Sequence, residues 1–255
     1  MEGVKVGIIG GSGMDNPDLM KDKREKNIKT PYGSPSSPLT TGKIGGVTVV
    51  VLARHGKKHS IYPTGVNFRA NIYALKKEGC THILATTAVG SLREKIKPGD
   101  FVFVDQFIDF TRHRTLTFHD EKVIHTPMGE PFCKTLRSLL IDTAKGLNLR
   151  HHRNGTVITI EGPRFSTKAE SRMFRAWGAD VINMSTVPEV ILARELGICY
   201  QTIAMSTDYD CWKEGEEPVT WDMIVSTMNK NSDNVRILLR KTIPKISAHA
   251  CDGKN

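Results

Sequence analysis

Several apolar, strand-like runs in this sequence stop at small residues, hydroxyls or charges, and those stops are where chemistry can sit. The run Val4–Ile9 ends in Gly10-Gly11-Ser12-Gly13. Glycines there let backbone N–H groups approach an anion, and Ser12 adds a hydroxyl donor. A plain tight turn fits the same residues. The spacing G-x-G-x-x-G of a dinucleotide site is missing, and so is the Gly-Lys-Ser/Thr of a P-loop. The run Val47–Leu52 leads into Arg54-His55-Gly56, a planar cationic fork matched to phosphate oxygens beside a glycine that permits close approach. Ile83–Thr87 runs into Ala88-Val89-Gly90-Ser91, so that the Thr86 and Thr87 hydroxyls suit either a second anion clamp or the capping of a buried strand. Three successive strands with anion-compatible ends matter more than any one of them, because ligands of open α/β sheets gather at strand ends.

A fourth strand-like run, Ile198–Met205, is followed by Ser206-Thr207-Asp208-Tyr209-Asp210. Carboxylates two residues apart project to one side of an extended segment. Such a pair could hold a metal, stay solvated in a loop, or read a purine edge by protonating N7 and accepting from a 6-amino group. His55 and His59 are four apart, which would suit a metal on a helix. Gly56 and the preceding strand argue against that helix, and no H-E-x-x-H pattern exists.

The elements that must position these residues follow from periodicity. Further strands are expected at Phe101–Val104, Thr156–Ile160 and Val181–Ile182, several of them β-branched and apolar on both faces. Helices are expected at Asn67–Glu78, Glu130–Lys145, Lys168–Trp177, Val187–Leu196 and Trp221–Lys241. Thr167/Glu170 and Thr186/Glu189 both have the spacing of capping boxes, and Pro188 suits a first turn. Gly79 and Gly197 are expected to stop helices. The alternation predicts an α/β fold, one domain over residues 1–255 with a central mixed sheet flanked by helices and a poorly ordered tail after about residue 245. Thr30–Thr41, rich in Pro, Ser and Gly, reads as a surface loop.

Hydrophobic residues make up 39% of the chain and charged residues 25%, as in ordinary soluble enzymes. No apolar run is long enough to span a bilayer, and no signal peptide is visible. Five widely spaced cysteines without C-x-x-C argue against a disulfide framework or a zinc site and favour a reducing cytoplasm. The net charge of +9 is dispersed among acids, as in Lys21-Asp22-Lys23-Arg24-Glu25-Lys26, which reads as a solvated surface rather than a nucleic-acid stripe.

Taken together, Val6-Gly-Ile-Ile-Gly-Gly-Ser-Gly13, Leu52-Ala-Arg-His-Gly56, Thr86-Thr-Ala-Val-Gly-Ser-Leu-Arg-Glu94, Glu161-Gly-Pro-Arg-Phe-Ser166, Trp177-Gly-Ala-Asp-Val-Ile-Asn-Met184 and Thr207-Asp-Tyr-Asp-Cys-Trp-Lys-Glu214 closely resemble the trimeric purine-nucleoside phosphorylase family. The match is to its branch that cleaves 5′-methylthioadenosine, and it runs from about residue 4 to Pro244. The resemblance implies phosphorolysis to adenine and 5-methylthioribose 1-phosphate, in purine and methionine salvage. It implies a phosphate site of Ser12, Arg54, His55, Thr87, Ser185 and the backbone N–H of Ala88. Phe165, Ser166 and Met184 fall where the family holds ribose and base. Asp208 matches the group at N7 and Asp210 the reader of the 6-amino group, with Asp208 and His55 as the catalytic residues. Ser12 and Ser185 stand where many members carry Thr, and both keep the hydroxyl. His125 resembles a residue given to the 5′ pocket of a neighbouring subunit in a homotrimer. The helix with which members close over the 5′ group has no obvious counterpart after Pro244. Phosphate is a co-substrate, so neither a cofactor nor a metal is expected, and neither nucleic acid nor membrane is a partner. Three other readings remain: a broader phosphorylase acting on adenosine or inosine, a hydrolase, and a non-catalytic nucleotide- or RNA-binding protein on the same scaffold.

Overall fold

The computed structural model describes residues 3–10, 20–215 and 220–246, so Ser12 and the tail lie outside the described residues. Eleven strands of the described residues form one mixed sheet: β1 (Lys5–Gly10), β2 (Lys21–Lys26), β3 (Leu39–Ile44), β4 (Val47–Ala53), β5 (His82–Ser91), β6 (Phe101–Val102), β7 (Gln106–Phe110), β8 (His151–His152), β9 (Thr156–Ile160), β10 (Val181–Asn183) and β11 (Cys199–Tyr209). The main path is β2-β3-β4-β1-β5-β10-β9-β7, and β11 joins β5 to the short strands β6 and β8. Among the described residues, five α-helices cover it: α1 (Phe68–Lys77), α2 (Lys134–Gly146), α3 (Lys168–Ala176), α4 (Thr186–Glu195) and α5 (Trp221–Thr242).

Strand alternation divides the core between the two faces of the sheet. Ile9, Val50 and Leu52 pack with Phe68, Ile72 and Leu75 of α1 and Val190 and Leu192 of α4. Val6, Ile8, Val49 and Val51 pack on the other face with Leu136 and Leu140 of α2 and Val235 and Leu238 of α5. Both faces are covered, which is why the central strands read as unbroken apolar runs.

The expected strands and helices are all present, with ends shifted by a few residues. Two strands that hydrophobicity does not mark are added to the sheet's rim. In β2 all six residues, Lys21–Lys26, are exposed, and the strand lies at an edge where charge discourages pairing with another chain. β7, at the opposite end of the path, has no fully buried residue. The expected loop over Thr30–Thr41 ends early, because Leu39 is fully buried and opens β3.

Of the helix ends that the sequence marks, all but one form as expected. Thr167 and Glu170 form the reciprocal capping box of α3. Gly79 (φ 81°) and Gly197 (φ 63°) follow α1 and α4 in the left-handed region, where a glycine carries no Cβ penalty. The box expected at Thr186 and Glu189 does not form. Val187 is extended, Thr186 accepts from Asn183, and the Glu189 carboxylate turns inward to Arg54 and Tyr200. Replacing Thr167 by Ala should destabilise the protein by about 1 kcal/mol in urea unfolding, and Thr167→Ser should restore most of it.

Candidate active site

The site forms where β5 changes partner. Its residues His82–Ala85 pair with β1, and Gly90 and Ser91 pair with β10, while β11 runs along its other edge throughout. Between those pairings, Thr86–Val89 have no strand neighbour among the described residues on the first edge, and a cavity of about 400 Å³ opens there. A strand edge facing a cavity offers backbone donors and acceptors in fixed directions, as at the switch points of other α/β sheets.

At one pole of this cavity stands Arg54, just past the end of β4 and only 3% exposed. Its Nε and Nη2 donate to the two oxygens of Glu189 at 2.6 and 3.0 Å, and Nη1 donates to the Thr86 carbonyl at 2.9 Å. The described residues thus take three of the five N–H donors and leave one on each terminal nitrogen. Tyr200 of β11 donates to Glu189 at 2.8 Å, so the pair is closed by a third buried side chain. Beside it, the Thr87 and Ser185 hydroxyls lie 2.9 Å apart, and Asn183 donates to Thr87 and Thr186. His55 Nδ1 is 2.8 Å from the Ile61 carbonyl oxygen. Burial and the neighbouring Arg54 charge push His55 down to about 4, so it is neutral at physiological pH.

The other pole is built by a bulge. Ser206 pairs with Val89 and Asp208 with Gly90, which leaves Thr207 as an extra residue in β11. Bulges re-aim side chains, and here Thr207, Asp208 and Asp210 all line the cavity. Gly90 makes room for this arrangement, since a Cβ on it would sit 3.2 Å from Asp208 Oδ2 and 3.1 Å from Ile182. Asp208 is pushed up to about 6, first by burial and then by Asp210, against a 2.6 Å hydrogen bond from Thr207. Ser166 spans the Asp210 carboxylate at 2.8 and 2.7 Å. Met184 is half-buried behind Gly162, whose φ of 69° and lack of Cβ allow the Met184 sulfur to approach. Phe165, 42% exposed, stands at the mouth.

Arg54, His55, Thr87, Ala88, Phe165, Ser166, Met184, Ser185, Asp208 and Asp210 therefore come together from five segments of the chain. Ser12 falls outside the described residues. His125 is exposed and does not line this cavity. Type and spacing do not mark Tyr200 and Thr207 as site residues, and they mark Glu189 only as a capping residue. Glu189 carries a signal in hindsight, because a lone acid among Val187, Val190, Ile191 and Leu192 must find a buried cation. Among the described residues, no cluster of His, Cys, Asp or Glu has the composition of a metal site.

The sequence model of the Phosphorylase superfamily matches residues 5–244. The chain belongs to that superfamily. Its relatives in the superfamily include S-methyl-5′-thioadenosine phosphorylases. That of Xenopus tropicalis is 60% identical over 96% of this chain and 90% of its own, and that of Danio rerio is 57% identical over 95% and 89%. Among solved structures, the methylthioadenosine phosphorylase of Schistosoma mansoni in complex with adenine superposes with a TM-score of 0.91. It is 47% identical and covered over 94% of this chain and 91% of that one. A mutant of the adenosine/methylthioadenosine phosphorylase from the same organism, in complex with methylthioadenosine, superposes with a TM-score of 0.89 at 46% identity.

The strained ionisation of Asp208 makes a stability prediction. An acid whose folded pKa is raised contributes stability that is full below its unfolded value of 3.8 and is lost as pH rises through about 6. Asp208→Asn has no such loss, so at neutral pH it should be more stable than the native protein, by up to about 3 kcal/mol. The advantage should vanish below about pH 4. His55 titrates with the opposite sign in both proteins and cancels. Urea midpoints compared at both pH values check this, and equal midpoints throughout would remove the case for a buried, strained Asp208.

Proposed function

We propose that this chain is a 5′-methylthioadenosine phosphorylase, converting 5′-methylthioadenosine and inorganic phosphate to adenine and 5-methylthioribose 1-phosphate. The observation that carries this reading is the polarity of the cavity beside β5. One end presents an arginine fork, paired hydroxyls and a neutral histidine, and the other presents two carboxylates two residues apart. A nucleoside laid across it puts C1′ between a phosphate and a purine. The names and ligands of the relatives support the same substrate.

Breaking the ribosidic C–N bond builds positive charge on the sugar and negative charge on the purine. Phosphate at the Arg54 end stabilises the first and then bonds to C1′. The bond's electron pair leaves with the purine, and Asp208 protonates N7. With its pKa near 6, Asp208 holds the proton in a useful fraction of molecules near neutrality. Asp210, held by the Ser166 hydroxyl, accepts from the 6-amino group. Met184 and Phe165 pack sugar and base. Thr87, Ser185, Ser12 and the Ala88 N–H complete the phosphate cradle, and His55 contacts the phosphate as a catalytic group. No cofactor takes part, because phosphate is itself the second substrate.

The same reading places the protein in purine and methionine salvage in the cytoplasm, as a homotrimer whose His125 reaches a neighbouring subunit's 5′ pocket. Among the described residues, Cys80, Cys133, Cys199 and Cys211 form no disulfide, in keeping with a reducing compartment. No helix among the described residues is long and apolar enough to cross a membrane.

Adenine release from 5′-methylthioadenosine should require inorganic phosphate, and inosine should be inert. Release without phosphate would make the protein a hydrolase. Asp208→Ala should lower kcat by roughly 10²–10⁴-fold while the KM for phosphate stays within about a factor of three. Near-normal turnover by that variant would remove Asp208 from the mechanism.

A further inference from the structure

We infer that phosphate enters this site together with one proton, which it shares with His55, and that Glu189 imposes this by cancelling the charge of Arg54. The inference rests on the reading of the anion as phosphate, and it concerns the ionic form in which that co-substrate is bound.

The first argument is hydrogen-bond polarity. A carbonyl oxygen only accepts, so the 2.8 Å contact with Ile61 requires the hydrogen on His55 Nδ1. Nε2 is then the remaining ring nitrogen, and in a neutral imidazole it is an acceptor. Phosphate oxygens are acceptors too. The contact therefore needs a proton between them, and the single P–OH of the dianion can supply that one. It is the charge of the site that calls for a further proton, held as neutral histidine with the monoanion or as imidazolium with the dianion.

The second argument is charge. Arg54 and Glu189, 3% and 0% exposed, form a bidentate pair whose formal charge is zero. The other groups acting on His55 do not change this sum. Arg114 is paired with Glu161 at 3.1 Å. His59, whose ring centroid is 4.6 Å from that of His55, is held toward its neutral form by burial and by Arg54. Tyr200 is kept protonated by burial and by Glu189. Bringing a dianion out of water to a formally neutral group of side chains leaves two charges to be met by dipoles alone, and each uncompensated buried charge costs several kcal/mol. One proton halves that charge. Because His55 is neutral before the anion arrives, the proton is taken up on binding.

The proton has a place in the reaction. As the phosphate oxygen bonds to C1′, His55 Nε2 keeps the proton that the phosphate gives up, and the C1′–N9 electron pair departs with the purine. Asp208 protonates the purine, and water then returns the proton from His55 to Asp208. Phosphate loses one proton and adenine gains one, so the cycle balances. Glu189 touches no substrate in this scheme and acts as a positioning residue through Arg54.

Titration calorimetry of the native protein with inorganic phosphate, in two buffers of different ionisation enthalpy, counts the proton. At about pH 8.5 the expected uptake is near one proton per phosphate bound, with affinity falling about tenfold per pH unit above neutrality. Glu189→Gln, which removes the compensating charge, should bind phosphate with little uptake and a flatter pH dependence, and more tightly than the native protein at alkaline pH. A purely structural role for Glu189 would weaken binding equally at every pH and leave the proton count unchanged. If Glu189→Gln does not fold, His55→Gln, whose amide can itself donate, should abolish the uptake. Native protein that binds phosphate and cleaves 5′-methylthioadenosine with no proton uptake overturns this inference alone. Absence of phosphate-dependent cleavage overturns the functional reading and this inference with it.

Discussion

Arg54 and Glu189 are removed from water together, and neither is tolerable there alone. Leaving one partner of such a pair unpaired in the interior costs roughly 3–5 kcal/mol, a large part of the stability of an ordinary domain. Their geometry ties four parts of the chain: the end of β4 through Arg54, the opened edge of β5 through Thr86, the start of α4 through Glu189, and β11 through Tyr200. That knot holds the rim of the cavity at a fixed width. It also orients the two N–H groups of Arg54 that are not used by the described residues, so the anion-binding fork is preorganised rather than assembled on binding.

The opposite rim depends on irregularity rather than on a knot. A continuous β5–β10 ladder would fill the space that the ligand needs, and a regular β11 would send Asp208 or Thr207 away from it. The change of partner along β5 and the extra residue at Thr207 remove both obstacles. The environments at the two ends then push titratable groups apart. Burial holds His55 neutral and raises Asp208 to about 6, so a potential proton acceptor coexists near neutral pH with a carboxyl that still carries its proton in a fraction of molecules.

Much of this was legible from residue type and order. Apolar runs such as Val47–Leu52 and Thr156–Ile160 became strands because continuous β-branched sequence suits a sheet covered on both faces, and Gly79 and Gly197 ended helices because only a glycine takes that backbone turn freely. Lys21–Lys26 and Gln106–Phe110 escaped because rim strands bury little and carry no apolar period. Glu189 was misplaced as a capping residue for a different reason. Its spacing from Thr186 satisfies a local rule, while a buried guanidinium 135 positions away in the chain satisfies it better.

The sequence by itself determined the alternation of strands and helices, the strand-end turns, and the chemical types that face an anion and a purine, because propensity and hydrogen-bond inventory are properties of single residues and near neighbours. Only the tertiary structure decided that Arg54 is half-consumed by Glu189, that Thr207 is the bulge, and that Asp208 is strained toward neutrality while Asp210 is fastened to Ser166. Those outcomes depend on which distant groups share a dry space, since charge, desolvation and hydrogen-bond partnership are set by what lies within a few ångströms rather than by what lies along the chain.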